Sequence, residues 1–186
     1  MSIRKVVFDL DDTLWPLNKR ACKLANVDFD KIKNFALSEN PLVTEDERER
    51  LSKVYNSVEL WKEIHWFEGA RDLRQLEQYN AKVYINSNCL NQDVIDLKRN
   101  FLSKELNIPD DQIILNLIKS AKDKPLDDDM FIFVDDSPFN IMKSTATYNI
   151  VPNKPWNQNI DKYVIRINSL PEIIHFCKQI LKETSI

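Results

Sequence analysis

Apolar and polar positions along the chain fall into two alternating registers. Short runs of β-branched and aromatic residues are separated by longer stretches in which apolar residues recur at helical spacing. Residues 3–9 form the first apolar run and predict a buried strand. From about residue 18 to 66 the character changes to a long, charge-rich and mostly helical segment. Within it Thr44 and Glu47 make a capping box, because the hydroxyl and the carboxylate can each satisfy a free backbone N–H. Leu51, Val54, Tyr55, Val58 and Trp61 then place one buried face on a helix expected to run to about residue 65. Gly69 marks a turn into a further helix near 70–79, with Leu73 and Leu76 facing inward. Residues 82–86 read as a second strand ending in Ser87-Asn88, and 91–106 as a helix closed by Asn107-Ile108-Pro109-Asp110-Asp111. A short third strand over 113–115 leads towards Lys119.

Met130-Phe131-Ile132-Phe133-Val134 is a clear buried strand ending in Asp135-Asp136. Ser137-Pro138 supplies a cap and a proline at the start of a helix. Another strand is expected over 148–151 and a loop over 153–157. A second capping box, Ser169 with Glu172, opens an amphipathic final helix through Ile173, Phe176, Cys177, Ile180 and Leu181. Strands alternating with helices predict a parallel α/β sheet with a helical insertion after the first strand.

Composition narrows the class. The chain has 186 residues, 43% hydrophobic and 30% charged, enough for one domain carrying a modest insertion. A net charge of −3 favours neither coating a nucleic acid nor adhering to a membrane surface. Cys22, Cys89 and Cys177 are odd in number and widely spaced, which fits a reducing cytoplasm better than a disulfide framework or a zinc site. No apolar signal core or membrane-length run is visible. The single glycine, Gly69, excludes glycine-rich phosphate loops.

The chemistry gathers where strands end. In a parallel sheet all C-terminal strand ends share one edge, so Asp9/Asp11, Ser87/Asn88, Lys119 and Asp135/Asp136 can converge there. Asp9 and Asp11 point to the same side, about 7 Å apart along an extended chain. Four carboxylates at one edge repel strongly: at an effective dielectric of 20, a unit pair at 4 Å costs about 4 kcal/mol. A hard divalent cation relieves that, and oxygen-only ligands favour magnesium over zinc. For attack on a phosphate dianion, the metal and one lysine would supply the neutralisation the reaction needs.

These residues resemble the motifs of the haloacid-dehalogenase (HAD) superfamily. Asp9-Leu10-Asp11-Asp12-Thr13 is similar to its motif I, Ser87 to motif II, a downstream lysine to motif III and Asp135-Asp136 to motif IV, in that order. The resemblance implies a Rossmann-like HAD core over 1–16 and 68–186, with a helical C1-type cap over 17–67. It implies that Asp9 attacks phosphorus to form an aspartyl-phosphate, while Asp11 protonates the leaving oxygen and then deprotonates water. Ser87 and Asn88 would hold phosphoryl oxygens, and Mg2+ would bind Asp9, the Asp11 carbonyl and Asp135, with Asp136 in support. Lys119, directly after the third strand, is the first choice for motif III. Lys124, in a Lys-Pro pair, is the second.

Three further stretches resemble the 5′(3′)-deoxyribonucleotidases. They are Trp61 with His65-Trp66-Phe67-Glu68-Gly69 at the end of the cap, Asp135-Asp136-Ser137-Pro138-Phe139-Asn140, and the loop Asn153-Lys154-Pro155-Trp156-Asn157. By that resemblance Trp61, Trp66 and Phe67 would wall a nucleobase pocket, although ordinary packing within the cap explains the same residues. The expected activity is therefore Mg-dependent hydrolysis of nucleoside monophosphates by a cytoplasmic phosphatase. Departures from the family pattern are Ser87-Asn88-Cys89 in motif II, Asp12 in place of a glycine, and Ser137 in place of an arginine. The run Asp9 to Pro16 also resembles magnesium-dependent phosphatase-1. Sugar phosphates, phosphotyrosine, polynucleotide 3′-phosphates, a non-catalytic binding role and a homodimer stay open at this level.

Overall fold

A computed structural model describes residues 3–117 and 124–184 of the chain. Its centre is a six-stranded parallel sheet of β1 (Arg4–Phe8), β2 (Ala81–Cys89), β3 (Ile113–Leu117), β4 (Met130–Val134), β5 (Tyr148–Pro152) and β6 (Ile165–Ile167). The strand order is β3-β2-β1-β4-β5-β6, with every neighbouring pair parallel. The order reverses between β1 and β4, and open α/β sheets carry their crevice outside the carboxyl ends at such a point. The parallel α/β expectation holds, as does the helical segment after the first strand.

Alternation along the strands divides the core. Val6 and Phe8 pack with Val83, Ile85, Ile132 and Val134 in the larger cluster. Val7 and Phe133 point the other way, against Met130, Ile141 and Val151. The larger cluster also takes in helix α1 (Leu17–Ala25), helix α2 (Glu45–Tyr55), helix α3 (Gln92–Glu105) and helix α5 (Leu170–Glu183). The short helix α4 (Pro138–Lys143) covers the opposite face through Ile141.

Several local expectations need correction. The helix opened by the Thr44–Glu47 capping box is present but stops at Tyr55. Ser57 begins a separate 3-10 turn over Val58–Trp61 by accepting the Glu59 N–H, so the apolar spacing continues across a break. Ala70–Tyr79 is a 3-10 helix rather than an α-helix, entered through Gly69 at φ +85°. A Cβ on Gly69 would sit 3.3 Å from Pro171 Cγ, so both conformation and space favour glycine here. Ser87 and Asn88 do not follow the second strand but lie within it, because β3 pairs alongside as far as Cys89. The edge strand β6 is not among the predicted elements, although Tyr163-Val164-Ile165-Arg166-Ile167 carries its β-branched residues.

Candidate active site

The end of β1 sets the site. Asp9 N–H donates to the Val134 carbonyl at 2.8 Å, extending the pairing with β4 and holding Asp9 against Asp135. The chain then turns sharply: Asp12 adopts φ +57°, a left-handed conformation that glycine takes without strain and aspartate tolerates. Asp12 uses its carboxylate locally, accepting the Asn18 N–H at 3.1 and 3.2 Å and so capping α1. The residue that departs from the family's glycine therefore joins the turn to the helix behind it.

Asp135 is fully buried at the end of β4. Its Oδ1 accepts the Ser137 N–H at 2.8 Å, and its Oδ2 accepts Asn140 Nδ2 at 3.0 Å. Ser137 Oγ in turn accepts the Asn140 N–H at the start of α4. The Asp-Asp-Ser-Pro-Phe-Asn run is thus a self-bracing carboxylate mount. Asp136 is held from the late loop: Trp156 Nε1 donates to its Oδ2 at 2.7 Å, and Asn157 Nδ2 donates to its carbonyl at 3.1 Å.

Lys124 reaches into this group. Its Nζ donates to Asp9 Oδ1 and, at 2.8 Å, to Asp135 Oδ2, with all three side chains buried. Its backbone neighbour is anchored by the sheet, since Asn86 Nδ2 donates to the Pro125 carbonyl at 2.8 Å and Asn116 Nδ2 braces Asn86 at 2.7 Å. Lys119, the first choice for motif III, lies outside the described residues.

Among the described residues, Asp9, Asp135 and Asp136 form a group with ligand oxygens within 4.8 Å of one another. Its electrostatics show the strain of that arrangement. Burial pushes Asp9 up to about 7, Lys124 opposes the rise, and Asp135 and Asp11 add to it. Asp136 is raised well above the usual carboxylate range by burial and by Asp12, Asp9 and Asp135. Burial alone would lower the Lys124 ammonium, but Asp135 and Asp9 outweigh it and the net shift is upward. Three buried carboxylates with a single lysine charge among them, paired to Asp9 and Asp135, suit a hard divalent cation.

The Asp11 side chain belongs to a different set. Its Oδ1 accepts Trp15 Nε1 at 2.9 Å, and its Oδ2 accepts Ser87 Oγ at 3.2 Å and Lys98 Nζ at 2.6 Å. Asp9 and Asp11 therefore serve separate partners. Lys98, on α3, is fully buried and was not anticipated. A signal for it exists in the sequence: Val94, Lys98 and Leu102 occupy one buried stripe of α3, and a lysine in an apolar stripe needs a polar partner.

A cavity of about 230 Å³ opens over these groups. Its floor holds Asp9, Asp11, Lys124, Asp135 and Asp136, and Asn88 lines it with a buried Oδ1 that has no hydrogen-bond partner among the described residues. Its opposite wall comes from the segment after β1: Leu17, Ile32, Phe35, Leu37 and Tyr55, with Asn18, Asn34 and Asn40 between them. Phe35 meets Phe139 edge-on at 5.6 Å, joining that wall to the first turn of α4, just after Asp135-Asp136. Asn40 is fully buried and shapes the wall, its Oδ1 accepting Lys33 and Asn34 N–H groups and its Nδ2 donating to the Asn34 and Ala36 carbonyls.

The aromatics expected to wall a base pocket lie elsewhere. Trp61 packs against Trp15 with ring centroids 5.6 Å apart and lies under Lys98 Nζ, 4.2 Å from its ring centre. Trp66 donates to Glu105 at 2.7 Å, and Phe67 lies under Lys154. None of the three lines the cavity. The polar expectations fare differently: Asp9, Asp11, Asn88, Lys124, Asp135 and Asp136 all face it, and Ser87 sits directly behind Asp11.

The fold has many relatives. A haloacid dehalogenase-like hydrolase from Streptococcus pneumoniae superposes with a TM-score of 0.56 at 16% identity, covering 94% of this chain and 98% of that one. A HAD hydrolase of family IA from Entamoeba histolytica gives 0.56 at 17%, covering 96% and 99%. A HAD-hydrolase from Bacillus subtilis, described as bound to magnesium, gives 0.53 at 12%, covering 95% and 99%. No curated protein matches the chain. The family model of the 5′ nucleotidase, deoxy (Pyrimidine), cytosolic type C proteins (NT5C) matches residues 2–180. With its motif order, its parallel sheet and its buried aspartate group in place, the chain belongs to this family of 5′-nucleotidases, phosphomonoesterases of the HAD superfamily.

Proposed function

We propose that this chain hydrolyses nucleoside monophosphates with Mg2+, using Asp9 as the nucleophile. The observation that carries the proposal is the buried set of Asp9, Lys124, Asp135 and Asp136 at the sheet's C-terminal edge, opening into a cavity that also holds Asp11. Asp9, Asp135 and Asp136 would hold the cation, which when bound supplies positive charge to the phosphoryl oxygens and keeps these carboxylates ionised.

In the first half-reaction an Asp9 oxygen bonds to phosphorus as the bond to the leaving oxygen breaks, and Asp11 gives that oxygen its proton. In the second, Asp11 takes a proton from water as the water oxygen attacks phosphorus, releasing phosphate and restoring Asp9. Lys124 fixes the Asp9 carboxylate, leaving its second oxygen for the substrate, and Ser87 and Asn88 receive phosphoryl oxygens. Lys124 takes the motif III role here, supported by its two carboxylate partners.

The 17–67 segment serves as the cap. Its Phe35 and Tyr55, rather than Trp61, Trp66 and Phe67, offer the flat surfaces for a base, where stacking contributes roughly 1–3 kcal/mol. Among the described residues no helix is long and apolar enough to cross a membrane, and we place the enzyme in the cytoplasm with the family's cytosolic type. The test incubates the protein and Mg2+ with deoxy- and ribonucleoside monophosphates, sugar phosphates, a phosphotyrosine peptide and a 3′-phosphorylated oligonucleotide. Release from the mononucleotides is expected. Release confined to any other class would overturn the substrate reading, and release unchanged in Asp9→Asn would overturn the chemistry.

A further inference from the structure

We infer that Lys98 is a positioning residue for the acid–base step, acting through Asp11. The inference rests on the phosphatase reading above and concerns a residue outside the four-motif set. Lys98 reaches the site from α3, with no exposed side-chain surface. Its ammonium makes three hydrogen bonds, to Asp11 Oδ2 at 2.6 Å, Ser87 Oγ at 2.9 Å and the Asn88 carbonyl at 2.8 Å. Trp61 closes the remaining side, its ring centre 4.2 Å from Nζ.

A lysine carried on an apolar helix stripe has no reason to be there for packing, because burying an ammonium is costly unless it is paired and hydrogen-bonded. Here two of the three hydrogen bonds go to the groups proposed to meet the leaving and phosphoryl oxygens, Asp11 and Ser87, and the third ties the ammonium to the β2 backbone at Asn88. Together with Trp15 on Oδ1, Lys98 on Oδ2 fixes the Asp11 carboxyl plane. It also holds Ser87 Oγ and the β2 carbonyl beside it, so acid and phosphate-binding hydroxyl are set as one unit. This gives Trp61 a physical role as well: its ring face accepts the cation where no further oxygen is present.

An acid–base group displaced by a fraction of an ångström loses proton transfer, and that loss depends on the leaving group. A nucleoside 5′-alkoxide needs the proton to depart, whereas p-nitrophenolate does not. The experiment measures kcat/KM, which reports steps up to departure of the leaving group, for a deoxynucleoside monophosphate and for p-nitrophenyl phosphate. Lys98→Met is expected to lower the first by about 10²-fold, within the range for acid–base catalysis, and the second by less than about 5-fold. In an Asp11→Asn background, which removes the acid but keeps Ser87 and the Asn88 carbonyl as partners, the same substitution should no longer separate the two substrates and should cost the nucleotide reaction much less than about 10²-fold.

Equal losses on both substrates, or losses that multiply independently in the double variant, would overturn the assignment. If Lys98→Met does not fold, the same substrate ratio is read in Lys98→Gln. Release from the wild type that Asp9→Asn abolishes, combined with equal losses at Lys98, removes only this role. No release from the wild type removes the phosphatase reading and this role with it.

Discussion

Removing the Lys124 ammonium should affect stability and turnover in ways that separate it from any neighbouring lysine. Its pair with Asp135 at 2.8 Å corresponds to about 6 kcal/mol of attraction at an effective dielectric of 20, and Asp9 provides a second pair. Desolvation of the lysine offsets much of that sum, and the carboxylates can take up protons once it is gone. The net cost of breaking a buried pair is typically about 3–5 kcal/mol, and that range is expected for Lys124→Met without metal. Mg2+ should restore part of it, because the cation replaces a positive charge between Asp9 and Asp135. Turnover should fall by about 10²–10³-fold even with Mg2+, the usual effect of losing one group that stabilises transferring charge. Urea unfolding with and without Mg2+, beside kcat for Lys124→Met and Lys119→Met, makes the comparison. If Lys119→Met abolishes turnover while Lys124→Met keeps both stability and kcat, the pairing seen here does not serve catalysis.

Other consequences follow from particular contacts. At Asp12, with φ +57°, Asp12→Gly should stay within about 1 kcal/mol of the wild type, losing a helix cap but relieving the backbone, whereas Asp12→Ala should lose about 1–3 kcal/mol; urea midpoints distinguish them. Asn40→Ala should destabilise by about 1–3 kcal/mol and raise KM, since several half-buried backbone groups of the 33–40 loop lose their partner. Without metal, Asp9 and Asp12 are raised to about 7 and Asp136 is raised as well, so the folded state holds protons that the unfolded chain has already released above its carboxylate range near 4. Stability of the metal-free protein should therefore fall as pH rises from about 4 to about 7, and the Mg2+-induced rise in Tm should grow over the same window. A Tm increment independent of pH there would contradict the buried charge arrangement. Phe35→Ala should raise KM for nucleotides more than for p-nitrophenyl phosphate, which has no base to stack.

The legible parts of the molecule are those written in local chemistry. Apolar runs ending in carboxylates place β1 and β4 and, through the parallel sheet, bring Asp9 beside Asp135 and Asp136. The capping boxes at Thr44 and Ser169 mark true helix starts. What sequence alone does not show is set by pairing across long separations. β2 runs on through Ser87 and Asn88 because β3 extends beside it, and β6 exists because Ile165–Ile167 finds the free edge of β5. Lys98 would read as a surface charge on α3 unless its stripe with Val94 and Leu102 is followed round the helix. Size alone points to Trp61, Trp66 and Phe67 as the wall of the cavity. It is instead built around Asn40, whose side chain organises a loop with little regular structure and so presents Phe35.

In the proposed mechanism a carboxylate oxygen of Asp9 takes the phosphoryl group. Acid quenching during turnover of a deoxynucleoside monophosphate with Mg2+, followed by borohydride reduction and mass spectrometry, locates any acyl phosphate on the chain. The expected result is conversion of Asp9 to homoserine in the wild type, at higher occupancy when Asp11 is replaced by Asn and a reactive aryl phosphate is supplied. Substrate consumption with Asp9 unmodified, or modification at another carboxylate, would contradict the mechanism directly.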